Sequence, residues 1–218
     1  MWSRGLFIAV LLLAFPARAQ VPATTMDIAP TLLRLEPGKA GLFYVTNRGS
    51  ERLAVEIRPM DWAQKDGLDV LTSSTSLFAS PPVVTIAPGA RQSVRLLARR
   101  PGAWRLLVSE LPDPAADQGR VKVMLQFSVP VFAGLSGAPS LRWNAQRSGD
   151  AVRLSVANTG PVPVKLAGAQ LGGARLMDGP LYLLAGSQRD FMVRGAATMR
   201  LTAQDALSGH AFDTDVAP

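Results

Sequence analysis

The only histidine, His210, is the first residue to consider for chemistry, because imidazole acts as a general base or metal ligand near neutral pH. It follows Ser208-Gly209 near the C-terminus, a setting typical of a turn. A zinc site needs several histidine or cysteine ligands, and the chain has no cysteine. The sequence therefore favours a solvated turn residue over a catalytic or metal-binding one.

Two groups of aspartates are the next candidates. Asp61, Asp66 and Asp69 cluster around one predicted loop, and Asp213 and Asp215 alternate on the last predicted strand. Calcium sites place several carboxylates in a set loop register, which neither group has. No serine lies in a Gly-x-Ser-x-Gly motif, and a Ser-His-Asp triad would depend on the one histidine. We therefore predict no enzyme, no catalytic residue and no metal site.

The N-terminus has the pattern of a secretory signal peptide. Arg4 precedes an apolar run at 6–15, and Ala17-Arg18-Ala19 is a small-x-small cleavage site. The run is shorter than the roughly 20 residues of a membrane-spanning helix, so we expect no stable membrane insertion. These features predict a signal peptide at 1–19, cleavage after Ala19 and export to the periplasm.

The basic charge balance does not indicate a nucleic-acid partner. The formal net charge of +7 includes the two arginines of the predicted leader. The other arginines are scattered through predicted strands, whereas nucleic-acid surfaces cluster basic residues with aromatics. We read the charge as favouring solubility, with mild attraction to acidic partners.

Short apolar stretches bounded by Gly, Pro, Asn and Asp recur along the chain, a spacing typical of β-sandwiches. The first set of predicted strands is 29–35, 39–46, 52–61, 83–86, 92–98, 104–111 and 120–132. The second set is 141–146, 151–157, 162–170, 181–184, 189–193, 198–203 and 211–216. Seven strands in each set predict an all-β protein of two tandem immunoglobulin-like sandwiches.

The small residues of 133–139 predict a linker between the two sets, which gives domains at 20–134 and 135–218. An internal echo supports this division. Asn47-Arg48-Gly49 and Asn158-Thr159-Gly160 each end a predicted strand and precede another.

Predicted strand 120–132 has apolar residues at every second position from Val121 to Val129, the alternation of a β-strand. This apolar face would either fill a core or be offered to another protein as a ready-made strand. The two interpretations imply different functions.

Three segments resemble the first domain of periplasmic pilus-assembly chaperones of the chaperone–usher pathway. The motifs are Pro81-Pro82, Ile86, Pro88-Gly89 and Val94-Arg95-Leu96, followed by 104–112 and by Val129-Pro130-Val131-Phe132. The resemblance covers residues 28–132 and is nearest to the archaic, Csu-type branch. It implies an L-shaped pair of immunoglobulin-like domains.

The resemblance also implies a function. Such a chaperone binds pilus subunits by donating a strand that the subunit lacks, and delivers them to an outer-membrane usher. No ATP, metal or other cofactor is implied. Backbone ladder bonds give affinity, and alternate side chains fill the groove of the subunit. The residues that match the donated strand are Val121, Val123, Leu125, Phe127 and Val129.

The chain departs from the family at the anchor for the carboxylate of the subunit. The arginine and lysine of this anchor are replaced by Leu32 and Pro130. Arg34, on the same strand face as Leu32, and Arg105 are candidate substitutes; ordinary rim arginines are the alternative. Gly134 stands where many members have an interdomain arginine.

Pro81 and Pro82 match the proline stretch that family members use to contact the usher, and a simple strand terminator explains them equally well. Self-association of the free protein is left open. The alternative function is a structural or adhesive tandem module of a surface assembly.

Overall fold

The computed structural model describes residues 26–112, 123–171, 174–175, 181–194 and 199–216. The predicted signal peptide at 1–19 and Val121 lie outside the described residues. No helix in the described part of the chain is long and apolar enough to cross a membrane.

The described residues form eighteen strands. The first ten are β1 (Met26–Ala29), β2 (Leu33–Leu35), β3 (Ala40–Asn47), β4 (Leu53–Lys65), β5 (Leu68–Ser73), β6 (Leu77–Ser80), β7 (Val83–Ile86), β8 (Arg91–Ala98), β9 (Gly102–Glu110) and β10 (Gln126–Ala133). The other eight are β11 (Leu141–Ser148), β12 (Ala151–Asn158), β13 (Val164–Leu171), β14 (Ala174–Arg175), β15 (Leu181–Leu183), β16 (Gln188–Arg194), β17 (Met199–Asp205) and β18 (Ala211–Val216).

These strands form four sheets. Sheet A has the order β1-β3-β8-β6, and sheet B has the order β2-β10-β9-β4-β5 with β7 also paired to β4. Sheet C has the order β11-β12-β16, and sheet D has the order β14-β13-β17-β18 with β15 paired to β13. Sheets A and B form the first sandwich, and sheets C and D form the second. The predicted all-β fold of two tandem immunoglobulin-like sandwiches is confirmed.

Alternation along the strands gives each sandwich its own core. In sheet A, Phe43, Val45 and Leu96 are fully buried, and they face Val55 and Leu106 of sheet B. The second sandwich has a separate cluster of buried residues. Its members are Val152, Leu154, Val156, Val164, Leu166, Leu183 and Ala203.

Each predicted strand overlaps a strand of the structure, but three strands were missed. These are β5, β6 and the two-residue β14. The predicted strand 29–35 is two strands, because Ala29 ends β1 in sheet A and β2 begins at Leu33 in sheet B. The predicted strand 120–132 begins later, at Gln126.

The missed strand β5 is joined to β4 by the two-residue turn Asp66-Gly67. Both turn residues have positive φ, 52° and 76°. This is the geometry of a type I′ turn, whose twist matches that of the flanking strands. The Asp-Gly pair is a hairpin signal in the sequence, and the structure places Asp66 in this turn between β4 and β5.

The two Asn-x-Gly sequences form the same hydrogen-bonded motif, once in each sandwich. The buried Asn47 side chain donates to the carbonyls of Glu51 (2.7 Å) and Ile86 (3.0 Å), and it accepts from the N–H of Gly49 (2.9 Å). In the second sandwich Asn158 repeats these bonds. It donates to Val162 (2.7 Å) and Leu183 (3.0 Å) and accepts from Gly160 (3.0 Å). Each asparagine fastens a turn to a neighbouring strand of its sandwich.

Replacing either asparagine by alanine leaves buried carbonyl groups without donors, which costs about 1–3 kcal/mol. We expect Asn47→Ala and Asn158→Ala each to lower the free energy of unfolding by about that amount in urea denaturation. Asn144→Ala, at an exposed position of β11, is the control and should change it by less than about 0.5 kcal/mol. Equal effects of all three substitutions would contradict the structural role of the motif.

Candidate functional site

Strand β10 is the centre of the candidate site, because its two halves have different surroundings. On one side it pairs antiparallel with β9 along its whole length, from Gln126 to Ala133. On the other side it pairs with β2, in parallel, only at residues 131–133. Within the described residues, the edge of β10 from Gln126 to Pro130 therefore has no strand partner.

The C-terminal half of β10 is buried on both faces. Val129, Val131 and Ala133 belong to the core of the first sandwich. Phe132 faces the second sandwich, where it is also buried. This half of the strand is fixed by packing on both sides and by two strand neighbours.

Exposure of the core-facing side chains increases towards the N-terminal end of β10. Val129 is 2% exposed, Phe127 and Leu125 are half-buried at the margin of the core, and Val123 is 81% exposed. The two sheets close over Val129, so it lies in the core of the free protein, and its place in the donated set stays a prediction. Residues 123–125 precede the strand and are not paired as part of it.

The entry to β10 is held by the buried residue Glu110, at the end of β9. The backbone N–H of Glu110 donates to the carbonyl of Leu125 (2.9 Å), and the N–H of Leu125 lies 3.4 Å from Oε2 of Glu110. Beside the open edge, Phe127 lines a cavity of about 400 Å³ together with Met26, Ile28 and Thr31. The half-buried part of β10 thus borders an opening between the two sheets of the first sandwich.

A cluster of aromatic rings connects the two sandwiches. The rings of Trp62 and Phe132 stack with centroids 6.0 Å apart, and Tyr182 of β15 meets Trp62 edge-on at 5.7 Å. Leu184 and Ala206 complete the buried part of this interface. The indole N–H of Trp62 is buried with no hydrogen-bond acceptor in the described part of the chain.

Arg105 lies against this aromatic cluster and is 14% exposed at its side chain. Its guanidinium carbon is 3.7 Å from the centroid of the Trp62 ring and 5.3 Å from that of Tyr182. Its Nη2 is 3.5 Å from a carboxylate oxygen of Asp69. Burial lowers the pKa of Arg105, against the attraction of Asp69, and burial also raises the pKa of Tyr182.

The side chain of Gln64, near the turn of the β4–β5 hairpin, both donates and accepts hydrogen bonds with the backbone of the second sandwich, as a backbone peptide group would. Its Nε2 donates to the carbonyl of Tyr182 (2.7 Å), and its Oε1 accepts from the N–H of Leu184 (2.9 Å). The same Nε2 donates to Asp69 (2.7 Å). The amide of Gln64 therefore pairs with both a carbonyl and an N–H beside β15. It also connects them to Asp69, the ion-pair partner of Arg105.

Gly134, where an interdomain arginine was expected, has no room for a side chain. Its φ is +60°, and an added Cβ would lie 2.7 Å from Cγ of Pro37 and 3.2 Å from Cβ of Pro101. At the boundary between the sandwiches, Arg105 of the neighbouring strand β9 lies over the rings of Trp62 and Tyr182.

The two candidate anchor cations lie on opposite sides of Pro130, on one face of sheet B. Arg105 is the direct cross-strand partner of Pro130, and Arg34 of β2 is that of Phe132. Leu33 and Leu35 are buried in the core, so the exposed Arg34 points away from it. Leu32, beside β2, packs against the aromatic interface.

Pro81 and Pro82 lie in the bend between β6 of sheet A and β7 of sheet B. The carbonyl of Pro82 accepts a hydrogen bond of 2.7 Å from the N–H of Ile57. This placement agrees with the interpretation of the prolines as a strand terminator, because the chain changes sheets here. A role in usher contact stays a prediction.

The remaining polar candidates are not gathered into one site. His210 is exposed, and its N–H donates to Oγ of Ser208 (3.1 Å). Asp61 accepts from Ser74 (2.8 Å), whereas Asp69 is occupied by Gln64 and Arg105. Within the described residues, no three His, Cys, Asp or Glu side chains come together as a metal site would require.

Sequence reasoning missed the residues that join the sandwiches, above all Trp62, Gln64 and Tyr182. Trp62 and Gln64 lie two apart in one strand, so they share a face, but this spacing does not say what that face contacts. The only available signal was a tryptophan among polar residues near the end of a strand. Glu110 was part of a recognised motif, but its bond to Leu125 depends on the fold.

Comparisons with known proteins agree with this architecture. The family model for pili and flagellar-assembly chaperones, PapD N-terminal domain, matches residues 25–134, just over half of the chain. This shows that the chain belongs to the pili and flagellar-assembly chaperone family. No curated protein matches the sequence.

Solved structures of pilus chaperones have a similar fold. The chain is similar to a chain of the CsuC–CsuE chaperone–tip adhesion subunit complex from archaic chaperone-usher Csu pili of Acinetobacter baumannii. The TM-score is 0.69 at 21% identity, covering 87% of this chain and 98% of that one. For the Salmonella enterica SafA pilin–SafB chaperone complex the TM-score is 0.68 at 14% identity, with coverages of 90% and 97%. For the E. coli chaperone DraB the TM-score is 0.63 at 15% identity, covering 88% of this chain and 96% of that one.

The bonds of Gln64 generate a prediction about the interface. Gln64→Ala should lower the free energy of unfolding by about 1–3 kcal/mol, because the carbonyl of Tyr182 and the N–H of Leu184 lose their partner. It should also broaden the distribution of distances between spin labels placed one on each sandwich. Gln146→Ala, at an exposed position of β11, is the matched control. An unchanged distance distribution together with unchanged stability would show that Gln64 does not hold the two sandwiches.

Proposed function

We propose that this chain is a periplasmic chaperone that binds pilus subunits by strand donation and delivers them to an outer-membrane usher. In this proposal residues 1–19 direct export and are removed after Ala19. Residues 20–134 form the domain that carries the donated strand, and residues 135–218 form the second domain. Family membership favours this function over that of an adhesive module, and we assign the chain to the archaic, Csu-type branch.

The observation that carries the proposal is the open edge of β10 from Gln126 to Pro130. Backbone groups on this edge are free to form a ladder with an incoming strand, which is how β-augmentation gains affinity. The strand does not have to change conformation to pair with a subunit, because its pairing with β9 already holds it extended.

The side chains next to the open edge supply the apolar contacts. Val123, Leu125 and Phe127 are exposed or half-buried, so a subunit can still cover them. Full burial of such a side chain is worth about 1.5–3 kcal/mol, and partial burial is worth less. The three together would contribute on the order of 5 kcal/mol before the cost of association. Val121 belongs to the same proposed set, whereas Val129 supports the strand from within the core.

Pro130 marks the end of the proposed donor segment. Proline has no N–H to donate to a ladder, and in the next residues β2 occupies the edge. A subunit strand that pairs along β10 would therefore end near Pro130, between Arg34 and Arg105. We propose that these arginines receive the C-terminal carboxylate of the subunit. Arg34 would be the principal ligand, because Arg105 is already paired with Asp69.

Usher contact at Pro81 and Pro82 remains part of the proposal. Pro82 is exposed in the bend between β6 and β7, on the opposite side of β4 and β9 from β10 in the strand order. A subunit bound along β10 would leave this bend uncovered. The chaperone could then contact the usher while it holds its subunit.

Val123→Glu tests strand donation without disturbing the fold, because Val123 is 81% exposed. We expect this variant to lose most capture of a co-expressed pilus subunit from the same bacterium, since a carboxylate would have to enter an apolar groove. Met124→Glu is the matched control, because neighbouring residues of an extended segment point to opposite sides. Co-purification of Val123→Glu with the subunit at the wild-type yield would argue against strand donation.

Arg34→Gln tests the carboxylate anchor. A hydrogen bond between charged groups contributes about 1.5–3 kcal/mol, so affinity for the subunit should fall at least about tenfold. Arg58→Gln removes an arginine from β4, two strands away from β10, and should leave the affinity unchanged. A subunit whose C-terminal carboxylate is amidated should bind wild-type and Arg34→Gln proteins equally, because it has no terminal charge for Arg34 to bind. Equal binding of the full-length subunit to both proteins would leave Arg34 with no anchoring role.

A further inference from the structure

The outer face of sheet A carries a row of arginines that neither the donor edge nor the interface uses. Arg91 and Arg95 lie four residues apart on β8, and Arg99 follows directly after its end. All three are exposed, because Val94, Leu96 and Ala98 between them point into the core. We call Arg91, Arg95, Arg99, Tyr44, Leu42 and Phe78 the arginine face.

Aromatic side chains hold two of these arginines in place. The guanidinium carbon of Arg91 is 3.7 Å from the centroid of the Tyr44 ring, and that of Arg99 is 4.5 Å from the centroid of Phe78. Stacking a guanidinium on a ring leaves its N–H groups at the edges free to donate. The two cations are thus ordered without using their hydrogen-bond donors on the protein itself.

Among the described residues, these cations have no carboxylate partner. In the part of the chain that the structure describes, the three arginines form no ion pair and no side-chain hydrogen bond. The strands of sheet A contain one acidic residue, Asp27 on β1, and Arg48 pairs with it at 3.0 Å. The arginine face is therefore a positive surface whose charge is not balanced locally.

We propose that the arginine face binds an extended, acidic segment of a partner protein. Four residues along a strand span about 13 Å, so carboxylates at every fourth position of an extended segment would meet the three arginines in turn. Arginine and carboxylate groups pair through two parallel hydrogen bonds, which suits this arrangement. Leu42 lies opposite Arg95 on β3 and is 48% exposed, so it offers an apolar contact between the charges.

An acidic protein segment fits this face better than an anionic membrane does. Membrane-binding surfaces insert protruding apolar side chains below the headgroups. Here Phe78 is 40% exposed, and the guanidinium of Arg99 lies over its ring. Tyr44 is covered by Arg91 in the same way. The guanidinium groups lie between these rings and the solvent, which favours pairing with carboxylates over insertion of the rings into lipid.

The arginine face is separate from the proposed subunit site. In sheet A, β8 is two strands away from β1, the strand that lies beside Phe127 at the open side of the sandwich. The inference does not depend on strand donation, and its test involves no pilus subunit. The protein can thus hold a subunit on β10 and an acidic segment on β8 at the same time.

The experiment uses the purified protein and a fluorescent extended peptide with glutamate at every fourth position, compared with the same peptide carrying glutamine there. We expect the glutamate peptide alone to bind, with affinity that falls as salt is raised, because surface charges are screened. Replacing Arg91, Arg95 and Arg99 together by Gln should lower that affinity at least about tenfold. Replacing them by Lys should lower it less, because charge is kept while paired bonding is lost.

The control protein has Arg142, Arg153 and Arg194 replaced by Gln, which removes the same charge from exposed positions of the second sandwich. It should bind the glutamate peptide as the wild type does. If both triple variants lost affinity for the glutamate peptide equally, net charge alone would explain the binding and the proposal would be overturned. Binding to vesicles containing phosphatidylglycerol without binding to the peptide would overturn it in favour of a membrane. Failure of the glutamate peptide to bind the wild-type protein would also overturn it.

Discussion

Burial of the second half of β10 on both faces is the constraint on which the rest of the structure depends. Val129, Val131 and Ala133 fill the first core while Phe132 fills the interface between the sandwiches. With this half fixed, the first half can keep an open edge and remain extended. A strand held only by β9 would expose a free edge with little to fix its position. An edge of that kind invites uncontrolled pairing.

The polar groups of the interface between the sandwiches fix its arrangement, because they form directed hydrogen bonds as well as an ion pair. Gln64 satisfies a carbonyl and an N–H of the second sandwich, and Asp69 connects Gln64 to Arg105. Aromatic rings cover Arg105, which makes its charge part of the interface. Arg34, on the other side of β10, is exposed. The two arginines of this sheet face thus differ in burial and in their contacts with the interface.

The first sandwich presents two further surfaces with different chemistry. Its open edge at β10 offers backbone groups and apolar side chains, whereas the outer face of sheet A offers ordered arginines. The two surfaces lie on different sheets, so a protein bound to one need not displace a protein bound to the other. The repeated asparagine motif, at Asn47 and Asn158, indicates that the two sandwiches fasten their turns in the same way although their surfaces differ.

The sequence by itself determined the all-β class, most of the strands and the resemblance to the family. Alternation in β10, the Asn-x-Gly repeats and the proline motifs are local signals, and local signals are enough to predict strands and turns. Only the tertiary structure decided which side of each strand is covered, because side-chain alternation does not say what packs against a face. Val129 and Val123 are alike in sequence, but the sheets close over one and leave the other in solvent. In the same way, packing against Pro37 and Pro101 excludes a side chain at Gly134, and the fold places the guanidinium of Arg105 over the ring of Trp62 at the interface.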